Sequence, residues 1–453
     1  MNMKKAAIGP LAFLILLAGP LRPQAKADSL VLSLDDCLKL ALEQNPLYLA
    51  QKAKEDSANA LLKQAASTFW PALNAQATDV LDKKVFTVPL PSFYPGIPAQ
   101  NIKLDFTRTY QMTLNFQVPL YAGGRLVSGY KQAGYNLEAT REAIRQSRQE
   151  IVYNVKKAFY GVLLARKFVD VSEEAVSLAE KHLKNVQAMF DVGMASKFDR
   201  LRAEVQAANL RPPLIRARNG LSTAELALKN LLGIDLKRPV EIRGELTFKD
   251  PAADADAATA EALINRPELG QLKFERMIAD EMLRSAKAAY LPALGVGGQA
   301  TYWSNKLSFA SGNWENYYSI NLVLSIPIFN GSINAARVSA SQAALKQLDY
   351  SQKGLTEMVK LEVQQAVLNL RQARESLVSQ EKNVEEAREA VRIAELNFGE
   401  GIATSLDVSS AQVALTQALT NYTQALFDCA LAAAELEKAV GSAGGSTAAG
   451  AGQ

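Results

Sequence analysis

The chain repeats itself, and this repeat limits the folds that are open to it. Three motifs recur in the same order: Phe69–Leu73 and Tyr290–Leu294, Phe116–Tyr121 and Leu324–Phe329, Asp191–Ser196 and Gly399–Thr404. Pro119 precedes Gly193 by 74 residues, and Pro327 precedes Gly401 by the same 74 residues. The stretch before each of these segments varies instead, with 48 residues from Pro71 to Pro119 but 35 from Pro292 to Pro327. We therefore expect two rods of equal length, preceded by a segment whose length is free to vary.

The constant segments have the character of long helices. No proline occurs between Gly124 and Phe190, or between Gly331 and Phe398. A helix of 67 residues is about 100 Å long. After each short turn the chain is predicted to return as another helix. In the last helix the apolar residues alternate steps of four and three, which predicts coiled-coil packing; they are Leu415, Leu419, Tyr422, Leu426, Cys429, Ala433, Leu436 and Val440.

Two segments alternate with the period of a β-strand. From Leu104 to Val118, seven of the eight even-numbered residues are apolar or aromatic and all odd-numbered residues are polar. In Ile320–Ile328 the even-numbered residues are all Ile or Leu, and they alternate with Asn321, Val323 and Ser325. Each segment has a strand-like partner upstream, beginning at Leu73 and Leu294. Apolar outer faces, polar inner faces and aromatic strand ends are typical of outer-membrane strands. Four strands cannot close a barrel, so several copies would have to share one, and the strand count leaves two or three copies open.

The ends and the linker complete the predicted organisation. Lys4, Lys5, the apolar run Leu11–Ala18 and Ala25–Ala27 predict a signal peptide over residues 1–27, and the cleavage site lacks a lipid-accepting cysteine. Residues 28–235 form the first repeat, 236–260 a linker with a strand-like Val240–Ile242, 261–440 the second repeat, and 441–453 a Gly/Ala/Ser-rich disordered tail.

The charge balance excludes one class of partner. Removal of residues 1–27 takes away four basic residues and no acidic ones, so 46 basic residues remain against 46 acidic residues. The mature chain is formally neutral, and no nucleic-acid partner is expected.

The Pro-rich stretch Val88–Pro98 is predicted to be an exposed loop. Arg211–Pro213 is predicted to interrupt the first returning helix.

Chemistry of the kind that enzymes need is sparse. The chain has one histidine, His182, so neither a Ser-His-Asp triad nor a multi-histidine metal site is expected within one chain. The charged neighbours of His182 predict a solvated position. Gly295–Ala300 fits a dinucleotide-binding pattern but lacks a following helix, which predicts strand glycines. We expect no enzymatic activity and no cofactor. Cys429 lies in the heptad seam and is predicted to pack there, whereas Cys37 lies near the start of the first helix. A disulfide between them is left open.

The duplicated order of helix, hairpin, long helix, turn and helix resembles the TolC family of outer-membrane efflux proteins over essentially all of the mature chain. The resemblance implies a mostly α-helical chain with a shared transmembrane β-barrel. Three chains would contribute four strands each to a twelve-stranded barrel. Below this barrel, a helical coiled-coil tunnel would cross much of the periplasm. It also implies the function of an exit duct for a tripartite efflux or type I secretion system. The implied partners are outer-membrane lipid, a periplasmic adaptor and, through it, an inner-membrane pump.

The resemblance also implies site residues. The adaptor-docking helix tips correspond to Val192, Gly193 and Met194 in the first repeat and to Gly401 and Ile402 in the second. The acidic tunnel constriction corresponds to Asp407 and Asp199. The chain departs from family members at three nearby positions, where Ser410 replaces a second acidic residue and Phe398 and Ala403 replace a Tyr and an Arg.

Three interpretations remain open at the level of sequence. Asp407 either forms an inward acidic ring or caps its helix as the N-cap residue, and the two roles are compatible. A periplasmic coiled-coil scaffold that does not enter a membrane, or a stand-alone outer-membrane porin, is the alternative to the exit duct. The transported substrate is not encoded in any motif.

Overall fold

The computed structural model describes residues 30–80, 85–92, 95–96, 98–105, 109–248, 254–304, 307–308 and 314–442. The predicted signal peptide and residues 443–453 of the predicted tail lie outside these residues. The two repeats match helix by helix, with lengths of 11, 22, 67 and 36 residues in each. The first repeat contains α1 (Leu34–Gln44), α2 (Pro46–Ser67), α3 (Arg125–Asp191) and α4 (Lys197–Leu232); the second contains α5 (Ala255–Asn265), α6 (Pro267–Ala288), α7 (Ile333–Gly399) and α8 (Ser405–Val440).

The equal rods predicted from the sequence are therefore confirmed as α3 and α7. Each packs lengthwise on the returning helix of its own repeat, α4 or α8, and α3 also packs on α8. The expected interruption of α4 is wrong, because the helix runs through Pro212 and Pro213 without a break. Ion pairs fasten this stretch to α3 on both sides: Arg211 binds Glu180 at 3.2 Å and Arg218 binds Glu173 at 2.8 Å.

Two hairpins combine into one antiparallel sheet. Its strands are β2 (Ala72–Val80), β5 (Thr109–Ala122), β7 (Ala293–Ser304) and β8 (Glu315–Ser325), in the order β2-β5-β7-β8. Two smaller sheets accompany it. β1 (Leu30–Leu32) pairs in parallel with β6 (Val240–Ile242), and β3 (Val85–Leu90) pairs antiparallel with β4 (Gln100–Asp105). The predicted strand in the linker is thus confirmed, and α5 begins within residues 236–260.

Two expectations about this region are wrong. The alternating run from Leu104 to Val118 is divided between β4 and β5, which belong to different sheets and are separated by residues outside the described part. The Pro-rich stretch is a loop only in part, because β3 includes Val88, Pro89 and Leu90. A two-stranded ribbon tolerates Pro89 in a strand, since a strand with a single neighbour has backbone N–H groups that no ladder needs.

The larger sheet has one apolar and one polar face. Register places Leu73, Phe116 and Gly298 side by side, and the row continues into Ile320. A Cβ on Gly298 would lie 1.9 Å from the Phe116 ring, so this glycine leaves room for the aromatic side chain. On the other face Gln299 donates to the hydroxyls of Thr301 (2.8 Å) and Tyr317 (3.3 Å). The interpretation of Gly295–Ala300 as strand glycines is confirmed.

Two apolar cores hold the helices together, and the first of them includes Leu32 and Ile242 of the small parallel sheet. One surrounds Cys37, Phe159 and Leu228, and the other surrounds Val363 and Cys429. The two thiols belong to different cores and are not bridged. Burial raises the pKa of the Cys37 thiol to about 12, so it stays protonated and inert. Among the described helices, none has the length and apolarity required to span a bilayer.

Candidate functional site: the paired helix tips

Both tips end in the same backbone motif. The Gly193 N–H donates to the Phe190 carbonyl (3.0 Å) and the Met194 N–H to the Met189 carbonyl (2.8 Å). In the second repeat the Gly401 and Ile402 N–H groups bind the Phe398 (3.1 Å) and Asn397 (2.8 Å) carbonyls in the same way. This pair of hydrogen bonds is the Schellman motif, which requires a residue in the left-handed backbone conformation after the helix.

Glycine supplies that left-handed residue at both tips. The φ angles are +80° at Gly193 and +78° at Gly401, which confirms the predicted turn geometry. A Cβ at either position would meet no heavy atom within 4 Å. The glycines are therefore required by backbone conformation and not by a close neighbour in the same chain.

The acidic residues predicted to form a constriction occupy capping boxes. Asp407 Oδ2 accepts from the Thr404 N–H (2.7 Å) and hydroxyl (2.6 Å), while the Asp407 N–H donates to Thr404 Oγ1 (3.3 Å). Asp199 makes the same box with Ser196. The N-cap residue of α8 is Thr404, so the alternative that Asp407 is the N-cap is wrong, and Asp407 supports the cap from the third helical position.

Asp407 is also fully exposed in the single chain. The hydrogen bonds from the Thr404 side chain and backbone hold the pKa of the Asp407 carboxyl below its usual range. This carboxylate is thus ionised and oriented by the turn itself, before any other copy approaches.

The tip surfaces are unusually apolar for exposed turns. Val192, Met194 and Ile402 each leave at least 70% of their surface open to solvent, and Phe198 and Leu406 in the first turns of α4 and α8 are also exposed. Exposed apolar patches that are not scattered singly mark interaction sites. Within the chain, the Arg202 guanidinium lies over one face of the Phe198 ring, 4.5 Å from its centroid.

His182 lies one level below the tips, and its predicted solvated position is wrong. The side chain is only 4% exposed, and its Nε2 lies 2.9 Å from the Ser405 hydroxyl of α8. The imidazole and the Phe398 ring of α7 form an edge-to-face contact with their centroids 5.1 Å apart. The sequence does contain a signal for this burial. Val171, Ala175, Ala179, His182 and Val186 are all buried and follow one another at steps of four, four, three and four along α3.

Comparison with known proteins identifies the family. The family model described as "Outer membrane efflux protein" matches residues 37–234 and 258–442, which are the two repeats without most of the linker. The chain belongs to the outer membrane efflux protein family. Its members are transport proteins of the outer membrane.

Individual relatives agree with this family along nearly the whole chain. The alkaline protease secretion protein AprF of Pseudomonas aeruginosa is 24% identical over 94% of this chain and 86% of its own length. The outer membrane protein TolC of Vibrio cholerae is 22% identical over 88% of this chain and 89% of its own. The CmeC outer membrane channel of Campylobacter jejuni has the same fold, with a TM-score of 0.77 at 16% identity over 90% of this chain and 85% of that structure.

Proposed function

We propose that this outer-membrane efflux protein works as a trimer that forms the exit duct of a tripartite efflux or type I secretion system. Three copies would share a twelve-stranded barrel in the outer membrane and a helical tunnel in the periplasm. The tips of the tunnel would dock on a periplasmic adaptor, which links the duct to an inner-membrane pump. AprF is named for secretion and CusC of Escherichia coli for cation efflux, so both kinds of system occur among the relatives.

The observation that carries the proposal is the unfinished sheet. Within the described residues, β2 and β8 each have a strand neighbour on one side only. The apolar face of β8 is fully uncovered, with Tyr318, Ile320, Leu322 and Leu324 all at least 60% exposed. Twelve residues of β7, tilted as in known barrels, rise roughly 30 Å, which suits the apolar thickness of a membrane. Because open edges are not stable in lipid, pairing of β2 with β8 of another copy is the natural completion.

The helices support the same assembly. A second heptad stripe runs along α4 on the side away from α3, and all of its members are exposed: Phe198, Leu201, Val205, Ala208, Pro212, Ile215, Asn219, Ser222 and Leu226. On α7 the large apolar residues Met358, Leu361 and Leu368 are exposed in a similar three- and four-residue rhythm. Seams of this kind pack on another helix, and a neighbouring copy offers one to each.

The tips supply the docking surface and the constriction in this proposal. The exposed Val192, Met194 and Ile402 provide apolar contacts for the adaptor, held by turns that Gly193 and Gly401 make possible. Asp199 and Asp407 lie at equivalent places just after the two tips, each oriented by its own capping box. Repeated around a three-fold axis, these carboxylates would surround the entrance and favour cations over anions.

Photo-crosslinking from single positions tests the assembly. A photoreactive residue at Ile215, in the exposed stripe of α4, should link two differently tagged copies co-expressed in the same cell. The same tags mixed only after lysis provide the control. A photoreactive residue at Met194 should instead capture a periplasmic protein anchored in the inner membrane, whereas one at Tyr318 on β8 should not. Exclusive monomers from Ile215 would contradict the shared duct, and absence of adaptor from Met194 would contradict tip docking.

A further inference from the structure

The contact around His182 connects three of the helices that lie below the tips, α3, α7 and α8. His182 belongs to α3, Phe398 lies at the end of α7, and Ser405 is the first residue of α8. The imidazole Nε2 and the Ser405 hydroxyl lie 2.9 Å apart, and Ser405 is 2% exposed. The α3–α4 pair therefore touches the α7–α8 pair through a titratable group, directly beside the turn that carries Gly401.

The rest of this contact is polar and incompletely paired. Ser405, Ser409 and Gln412 form one buried stripe on α8. Gln412 Nε2 donates to the Leu178 carbonyl of α3 at 3.3 Å, but Gln412 Oε1 and the Ser409 hydroxyl are buried and have no hydrogen-bond partner among the described residues. Buried polar atoms without partners favour separation, since water would satisfy them once the helices part. The neighbouring apolar cluster around Leu415 and Ala418 joins α7 to α8, and Leu178 of α3 packs against it, so apolar contact opposes the separation of α3 from α8 only further from the tip.

Taken together, the groups around the imidazole disfavour a proton there, because burial outweighs Glu395 and the Ser405 backbone hydrogen bond, which both favour one. Glu395 on α7 is the acidic group that faces it, but Glu395 is already bound to Lys181 at 3.1 Å. On α8 the first charged residue is Asp407, whose carboxylate is bound to Thr404. Ser405 lies in the first turn of α8, where the helix dipole disfavours a cation. Burial lowers the pKa of His182 from its ordinary value, and Glu395 only partly opposes this effect.

We propose that His182 is an acid-sensitive latch: its neutral imidazole holds α3 against α8 beside the tips, and its protonation loosens this contact and favours an open tip. This inference rests on the proposed function, because it concerns the entrance of the duct. It assigns a regulatory role to a residue that neither docks the adaptor nor lines the predicted acidic ring.

The direction of the pH effect follows from where the proton binds more tightly. The imidazole is buried in the closed contact and hydrated once α3 and α8 separate, so the separated state has the higher pKa. Closure is therefore fully favoured above the ordinary histidine pKa and weakens as the pH falls below it. The ratio of open to closed contacts rises by at most roughly tenfold per copy for each unit by which the two pKa values differ.

The single histidine allows the titration to be measured directly. Full-length protein purified without a polyhistidine tag, in nanodiscs, contains one imidazole per chain for carbon-13 NMR. The latch predicts a pKa below the ordinary histidine value in the folded wild type, and an ordinary value once the protein is unfolded in denaturant and the imidazole is hydrated. An ordinary or raised pKa in the wild type would overturn the proposal.

Conductance and hydrogen exchange test the consequence. In planar bilayers, wild-type conductance should rise as the tip-side pH is lowered from about 7.5 to about 5.5, across the ordinary histidine range. His182→Gln keeps hydrogen-bonding capacity but cannot take up this proton, so its conductance should not respond. Gly354→Ala, a change inside α7 that leaves His182 and the tips intact, should respond like the wild type. A full response in His182→Gln would overturn the latch.

A separate readout distinguishes failure of the latch from failure of the duct. If no conductance appears at any pH, the proposed duct is wrong, and hydrogen exchange in residues 398–412 still decides the latch. After correction for the intrinsic pH dependence of exchange, protection there should fall with acidification in the wild type and stay constant in His182→Gln. Equal pH dependence in both proteins would contradict the inference.

Discussion

Replacement of the tip glycines tests the proposal that the duct docks on an adaptor through its helix tips. Gly193 and Gly401 have φ angles near +80°, and a Cβ at either site would have no neighbour within 4 Å. The cost of Gly→Ala is therefore conformational alone, roughly 1–2 kcal/mol at each tip. Asn tolerates the left-handed region better than other residues, whereas a β-branched residue tolerates it least. We expect the destabilisation of the tip turn to increase from Gly→Asn through Gly→Ala to Gly→Val.

Hydrogen exchange reports this cost where it arises. Loss of the left-handed turn should weaken protection of the Met194 and Ala195 amides, both of which bind the Met189 carbonyl. Gly354→Ala is the matched control, because Gly354 lies inside α7 with open space around its Cβ. That change should stabilise the helix by about 1 kcal/mol and leave the tips unaltered.

Export separates a turn from a docking surface. Each variant is compared, at equal abundance in the outer membrane, with whichever export defect a deletion strain shows. We expect export to fall in the same order as tip protection. Unchanged protection of the Met194 and Ala195 amides in Gly193→Val would refute the conformational argument. Weakened tips with full export in the double Gly→Val variant would refute docking at these turns.

Four further predictions concern other parts of the chain. Asp407→Asn should lower cation selectivity and weaken block by multivalent cations in bilayers, and identical values would leave Asp407 with its capping role only. Leu228→Ala, at 1% exposure in the core with Cys37, should cost about 2–5 kcal/mol and lower the melting temperature, whereas Leu47→Ala on an exposed surface should not. Gly123→Ala should lower the amount of heat-resistant oligomer more than Gly124→Ala does. A Cβ at position 123 would lie 2.6 Å from the Ala288 carbonyl oxygen, whereas a Cβ at position 124 would meet no heavy atom within 4 Å. The intact mass of the purified protein should correspond to an unacylated chain that begins at Asp28, and an additional diacylglyceryl-type mass would contradict the predicted cleavage.

The features that the sequence predicts well are periodic and duplicated. The equal lengths of α3 and α7 follow from two Pro-free segments between repeated motifs, and the faces of β5 and β8 follow from strict alternation. These signals are local, and the repeat provides each of them twice. The position of Gly193 and Gly401 at left-handed turns follows for the same reason, since each glycine ends an uninterrupted helix.

The features that the sequence misses depend on partners distant along the chain. The ribbon of β3 and β4 escapes prediction because prolines suggest a loop, and nothing local says that a strand there needs only one neighbour. His182 is misassigned because Glu180 and Lys181 indicate solvent, whereas the buried stripe that includes His182 becomes decisive only when α8 packs on it. The role of Asp407 stays open because a ring exists only between copies, although the capping box is visible in one.

The central claim is that three copies complete one another in the outer membrane. Native mass spectrometry of the complex extracted from purified outer membranes measures this most directly. The account predicts a single assembly of three mature chains in that fraction, because β2 and β8 are the edge strands of the described sheet and the proposed barrel pairs them between neighbouring copies. A stable monomer in the soluble periplasmic fraction, or a monomer in the membrane extract, would contradict it.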